Sequence, residues 1–134
     1  MIHVVVVEDD AMNALLFRRL FERRCGYRVT TTESPDELLA LARAGKVDLV
    51  LMDVSLANSH HQGQPVNGVD LCRLLKRDPA TCKVPVMLAT AHAMRGDAEA
   101  LLAESGADDY LSKPIVDHEA FVEQVRRMVR AEAA

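Results

Sequence analysis

Acidic residues stand at the ends of apolar runs in this 134-residue chain. Val4-Val5-Val6-Val7 runs into Glu8, Asp9 and Asp10, and Asp48-Leu49-Val50-Leu51-Met52 runs into Asp53. Val84-Pro85-Val86-Met87-Leu88-Ala89 is followed by Thr90 and Ala91, and a shorter run, Asp108 to Leu111, by Ser112-Lys113-Pro114. If these ends share one edge, several carboxylates, a hydroxyl and an ammonium meet there. Crowded carboxylates repel, and a hard divalent cation with oxygen ligands relieves that repulsion, which points to Mg²⁺. Carboxylates, magnesium and a lysine together suit phosphoryl chemistry. Metal and lysine neutralise equatorial phosphoryl oxygens, while an in-line carboxylate can be the nucleophile. Asp10 directly precedes a helical pattern and also reads as a helix cap.

The elements that must carry these residues follow from the pattern. Apolar runs without alternation imply strands covered on both faces, as in a parallel sheet. A weaker strand, Tyr27 to Thr32, follows the turn at Gly26. Between the strands, Leu16, Phe17, Leu20 and Phe21 recur at helical spacing within Met12 to Arg24, and Gly26 is a stop signal. Ser34-Pro35-Asp36-Glu37 reads as an N-cap, a first-position proline and first-turn acids, opening a helix that ends before Gly45. Gly68 to Lys76, Ala93 to Glu104 and Asp117 to Arg130 supply three more helices. Strand and helix thus alternate five times, which predicts an α/β fold with a doubly wound five-stranded parallel sheet flanked by five helices. Such sheets bind ligands beyond the carboxyl ends of their strands, at the switch point.

Composition narrows the function. The length suits one domain over 1–134. An apolar fraction of 49% with 27% charged residues is a globular balance. A net charge of −4 opposes nonspecific grip on nucleic acid as the main activity. Cys25, Cys72 and Cys82 lack metal-ligand spacing and read as reduced thiols, Cys72 and Cys82 as small buried or half-buried fillers. No apolar stretch approaches membrane-spanning length and no leader pattern precedes the first strand, so the expectation is a cytoplasmic protein without membrane insertion.

Taken together, Glu8-Asp9-Asp10, Leu51-Met52-Asp53, Thr90-Ala91 and Tyr110-Leu111-Ser112-Lys113-Pro114 resemble the receiver domain of bacterial two-component response regulators. The resemblance covers essentially the whole chain and implies a flavodoxin-like sheet of order 2-1-3-4-5. Thr90-Ala-His-Ala-Met-Arg-Gly-Asp97 is also similar to single-domain cell-cycle regulators of the DivK type and to receivers of hybrid histidine kinases. The family implies that Asp53 accepts a phosphoryl group from the phosphohistidine of a histidine kinase or histidine phosphotransferase. It implies that Asp9, Asp53 and the backbone carbonyl of Ser55 bind Mg²⁺ directly, with Glu8 acting largely through water. Lys113 would pair with the phosphoryl group, and the Thr90 hydroxyl and Ala91 N–H would bind its oxygens. Thr90 and Tyr110 would form the switch, and the Lys113-Pro114 bond would be cis. Output would run through downstream protein targets, from a monomer or weak homodimer.

Two features depart from the family. Ala57 replaces a proline common four residues after the phosphoacceptor, and Gly68 lies fifteen positions after Asp53, several more than usual. The intervening residues, about 54–67, are polar and turn-rich and predict an exposed loop beside the site. Within it, His60 and His61 read as solvated, with metal or partner contact as the alternative. Arg18, Arg19, Arg23 and Arg24 read as a solvated face that, with Leu15, also offers a docking surface. His92 and Ser55 are placed to tune attack by water. An aspartate-nucleophile phosphatase is disfavoured because Ser55 stands where a general acid is wanted. The chain is therefore expected to catalyse only its own phosphotransfer and dephosphorylation. Met1 just before the first strand favours a standalone protein; the alternatives are a receiver detached from a hybrid kinase and an adaptor that works unphosphorylated.

Overall fold

The computed structural model describes residues 1–56, 60–91 and 95–133. Its elements are β1 (His3–Val7), α1 (Ala11–Arg19) continued by a π-helical turn (Leu20–Cys25), β2 (Arg28–Thr32), α2 (Pro35–Arg43) and β3 (Leu49–Asp53). A short hairpin of His60–His61 and Gln64–Pro65 follows, then α3 (Gly68–Arg77), β4 (Val86–Thr90), α4 (Arg95–Ser105), β5 (Asp109–Ser112) and α5 (His118–Ala133). The five long strands are parallel in the order β2-β1-β3-β4-β5, as expected.

Every residue of β1, β3 and β4 is buried, because helices cover both faces of the sheet. Pleating divides the side chains between two core layers. Val4, Val6, Leu49 and Leu51 meet Phe17, Leu20, Phe21, Phe121 and Val125 from α1, the π-helical turn and α5. Phe21 and Phe121 pack edge to face with centroids 5.2 Å apart. Val5, Val7, Val50 and Met52 meet Leu38, Leu39, Leu71 and Leu75 from α2 and α3 on the other face.

Local signals at the helix starts are realised. Asp10 accepts from the backbone N–H groups of Met12 and Asn13, capping α1. Ser34 accepts from Glu37 N–H at the start of α2, with Pro35 in the first turn. One expectation for α1 fails. Leu16 does not join the buried stripe: it is 36% exposed, beside Leu15 at 40% and Met12 at 75%. The sheet and α5 cover the side bearing Phe17, Leu20 and Phe21, and the flank carrying residues 12, 15, 16 and 19 faces solvent.

The long connection after β3 also differs from the expected loop. Ala57 lies outside the described residues, but 60–65 form a two-stranded hairpin in which His61 pairs with Gln64 and His60 with Pro65. Gln62 and Gly63 have φ of 53° and 78°, the paired left-handed conformation of a type I′ turn. The chain returns through Val66, packed on the α2–α3 layer, to Asn67. Asn67 and Asp70 form a reciprocal capping box for α3, with bonds of 2.9 and 3.1 Å. Gly68 then passes so close to β3 that an added Cβ would lie 2.8 Å from the Asp53 carbonyl carbon and 2.9 Å from Val54 Cα.

Candidate functional site at the carboxyl edge of the sheet

Strand register delivers the polar residues to one place. Val7 pairs with Met52, which sets Glu8 beside Asp53. Asp53 pairs with Ala89 and Thr90 with Ser112, which brings Thr90 and Lys113 to the same edge. Lys113 N–H donates to the Thr90 carbonyl at 2.9 Å, and the Lys113-Pro114 bond is cis, as expected. The Lys113 ammonium lies 3.0 Å from Asp53 Oδ1 and 3.5 Å from Glu8 Oε2. Asp53 Oδ1 also accepts from Ser55 N–H at 3.2 Å, and Glu8 Oε1 from Asp10 N–H at 3.2 Å. Glu8, Asp53 and Thr90 are buried, whereas Asp9 is half-buried. One carboxylate oxygen from each of Glu8, Asp9 and Asp53 lies within 4.8 Å of the others.

Among the described contacts, the Lys113 ammonium faces both buried carboxylates. Burial pushes the Glu8 carboxyl up to about 7, and the negative charge of Asp53 adds to the shift; Asp10 N–H and the Lys113 ammonium oppose it. Burial alone would lower the Lys113 ammonium, but its hydrogen bond and charge interactions with Asp53 and Glu8 outweigh that and hold it above its ordinary value. One lysine thus serves two buried carboxylates. The donor set is all oxygen, the preference of a hard cation. Three carboxylate oxygens gathered this closely at one edge fit a Mg²⁺ ion, which would neutralise their mutual repulsion.

A hollow of about 280 Å³ opens beside the cluster, lined by Glu8, Asp9, Ala11, Ala14, Thr31, Thr32 and Glu33. Sequence reasoning missed the contribution of β2, although Thr31 and Thr32 end a strand at this same edge. Ala91 follows β4 and is exposed. Tyr110 lies opposite Leu88 and is half-buried against the α2–α3 core layer. Its N–H donates to Asp109 Oδ1 at 2.8 Å, and its carbonyl accepts from Gln124 Nε2 at 2.8 Å, contacts that no motif announced. His61 Nδ1 sits 3.2 Å from Asp36 Oδ1, rather than being solvated, and does not join the acidic cluster. His92 lies outside the described residues. Cys72 is buried and Cys82 half-buried, as filler residues would be. No helix is long and apolar enough to cross a membrane among the described residues.

Residues 4–126 match the family model described as the response regulator receiver domain. The chain is 40% identical to the polar-differentiation response regulator DivK of Brucella ovis over 112 residues, 84% of each chain. Among solved structures, it is 26% identical to the receiver domain of a sensor histidine kinase from Pseudomonas aeruginosa, which holds a magnesium ion coordinated in its active-site cleft. That match covers 96% of this chain and 97% of the other, with a TM-score of 0.78. The receiver domain of a signal transduction histidine kinase from Syntrophus aciditrophicus is 25% identical over 98% of this chain and 92% of its own, with a TM-score of 0.79. A family model matched along most of the chain and a relative at 40% identity agree with the strand-end arrangement, and the chain belongs to the response regulator receiver domains.

Proposed function

We propose that Asp53 is the phosphoacceptor of a two-component phosphorelay and that 1–134 form one receiver domain. The observation that carries this reading is the placement of Asp53, which ends a central strand with Lys113 at 3.0 Å and the Glu8 and Asp9 carboxylates alongside. An Asp53 carboxylate oxygen attacks phosphorus in a phosphohistidine. The P–N bond breaks, an aspartyl phosphate forms, and the departing imidazole nitrogen takes up a proton. Lys113 neutralises charge on the phosphoryl oxygens, and the Thr90 hydroxyl and Ala91 N–H donate to them. Glu8, Asp9, Asp53 and the Ser55 carbonyl would hold Mg²⁺, which when bound screens the charge between carboxylates and phosphoryl oxygens. Water later hydrolyses the aspartyl phosphate, so the protein acts only on its own phosphoryl group.

The donor is a histidine kinase or histidine phosphotransferase, and the α1 flank with exposed Met12, Leu15 and Leu16 supports its docking there. Output passes to cytoplasmic protein targets. Thr90 drawn toward the phosphoryl group would release Tyr110 to turn inward, reshaping the surface of α4, β5 and α5, a shift needing only a few kcal/mol of differential contact. The test is labelling with a phosphorylated histidine kinase. Asp53→Asn and excess chelator should each abolish label, and label persisting in Asp53→Asn at the wild-type rate refutes the assignment.

A further inference from the structure

The hairpin and α3 border a second hollow, of about 310 Å³, on the flank of α3 and apart from the acidic cluster. Gln62 and Gln64 form its hairpin wall, Val66 and Leu74 its floor, and Asp70, Arg73 and Arg77 its α3 side. The floor is apolar and fixed, since Val66 and Leu74 are half-buried against the α2–α3 core layer. The wall is fixed as well. His61 lies 3.2 Å from Asp36 in the first turn of α2, the Gln62–Gly63 turn closes two paired strands, and the Asn67–Asp70 capping box ties the returning chain to α3. A wall held in this way stands ready before any ligand arrives, which spares the ordering cost of binding.

The polar groups around this hollow are engaged unequally. Asp70 Oδ2 accepts from Asn67 N–H at 3.1 Å, and Arg73 donates to the Glu104 carbonyl at 2.8 Å and to Glu104 Oε1 at 3.3 Å. Gln62, Gln64 and Arg77 are exposed, and their side chains have no hydrogen-bond or ion partner among the described residues. The hollow therefore presents one free guanidinium and two free primary amides beside an apolar floor. A guanidinium matches a carboxylate in bidentate geometry. Each glutamine amide has donors and an acceptor, the complement of the C=O and N–H groups of a peptide backbone. A phosphate-rich ligand suits the hollow poorly, because one free cation does not balance several negative charges next to the Asp70 carboxylate. Size agrees with a peptide. Asp70 and Arg77 lie seven residues apart on one stripe of α3. That separation spans about 10 Å along the helix axis, which an extended chain crosses in about three residues.

We propose that this hollow docks an extended acidic peptide segment of a partner protein. An apolar side chain of the segment rests on Val66 and Leu74, a carboxylate two residues further on meets Arg77, and the backbone between them bonds Gln62 and Gln64. Alternate residues of an extended chain share a face, so both side chains reach the hollow together. None of these residues belongs to the acidic cluster around Asp53, so docking here does not depend on the phosphoacceptor reading.

The experiment titrates the full, isotopically labelled chain with the peptide acetyl-Ser-Leu-Ser-Glu-Ser-amide and, separately, with the same peptide carrying Gln in place of Glu. NMR follows the side-chain amides of Gln62 and Gln64 and the methyl groups of Leu74, up to about 5 mM peptide, a range that captures Kd values near millimolar. The acidic peptide should shift these signals saturably. Its Gln counterpart should bind about threefold to fivefold more weakly, the scale of a partly exposed ion pair. Arg77→Gln should bring the two peptides to equal affinity, and its acetyl phosphate labelling, within twofold of the wild-type rate, shows that the variant is folded. Absence of saturable shifts at Gln62, Gln64 and Leu74 overturns the proposal, as do equal affinities for the two peptides in the wild-type chain or a preference for the acidic peptide that persists in Arg77→Gln. The same shifts produced by succinate at equal concentration assign the hollow to a small carboxylate instead, and the same shifts on concentrating the chain without peptide assign it to a second copy; either result overturns the peptide as occupant.

Discussion

Replacing Gly68 by alanine adds one methyl group at the first position of α3, where helix propensity alone would favour it by up to about 1 kcal/mol. Packing at Asp53 opposes that gain. The methyl carbon would lie 2.8 Å from the Asp53 carbonyl carbon and 2.9 Å from Val54 Cα, and closer still to the Asp53 carbonyl oxygen. Carbon atoms settle at about 3.5 Å, so the carbon contact alone demands a movement of about 0.7 Å and the oxygen contact demands more. The obstructing atoms are backbone of a buried central strand whose continuation is pinned by Val54 N–H on the Ala89 carbonyl at 3.0 Å. The first turn of α3 is the freer party, and moving it strains the Gly68–Val54 hydrogen bond and the Asn67–Asp70 capping box. Overpacking costs about 1–3 kcal/mol and a weakened backbone bond about 1, so after the helix gain the net loss is about 1–3 kcal/mol. If Asp53 yields instead, misplacement of a reacting group by about 1 Å can cost on the order of 100-fold in rate. Urea denaturation of Gly68→Ala should show the loss of stability, and acetyl phosphate labelling should slow by about tenfold or more on that same scale. A variant as stable as the wild type and labelled within twofold of its rate would refute the close approach on which this reasoning stands.

Lys76 is an internal fastener: its ammonium contacts the Val84 carbonyl at 2.8 Å, the Cys82 carbonyl at 3.3 Å and Asp108 Oδ2 at 2.8 Å. Lys76→Met keeps the stem, and losing these charge-assisted bonds should cost about 2–3 kcal/mol in urea denaturation; a cost below about 0.5 kcal/mol, the scale of an ordinary surface substitution, would contradict the role. Leu15→Asp with Arg19→Glu should lower kcat/KM for transfer from a histidine kinase by about tenfold, roughly 1.4 kcal/mol, while leaving acetyl phosphate labelling intact. Unaffected transfer removes α1 from the docking surface. Thr90→Ala should still accept label but lose the phosphorylation-dependent gain in target binding, measured by pull-down with and without acetyl phosphate; a retained gain rules out Thr90 as the switch. Burial pushes the Cys72 thiol up to about 11, so the reactive thiolate is scarce at pH 8 and grows only as pH rises toward that value. Iodoacetamide at pH 8 should modify Cys82 well before Cys72, and equal rates in the folded protein would contradict the buried placement.

What the sequence by itself determined was the order of elements and the identity of the residues at the strand ends. Uninterrupted apolar runs mark doubly covered strands, and polar residues just beyond them must fall at one edge once those strands are parallel, which is why Glu8, Asp9, Asp53, Thr90 and Lys113 were legible before any coordinate was known. Short-range capping at Asp10 and Ser34 was legible for a similar reason, since donor and acceptor lie within three residues. Only the tertiary structure decided what depends on contacts distant in sequence. Leu16 has the spacing of a core residue but is exposed, because α5 covers one side of α1 and nothing among the described residues buries the other. The 60–65 hairpin reads as a polar loop until Asp36, from a different helix, anchors it. Sharing of one ammonium between Glu8 and Asp53 arises where chain segments 105 and 60 residues from Lys113 converge. Gly68 could be read locally as a helix start, but the reason for its missing side chain is the Asp53 carbonyl group pressed against it, and that proximity exists only when β3 and α3 are packed.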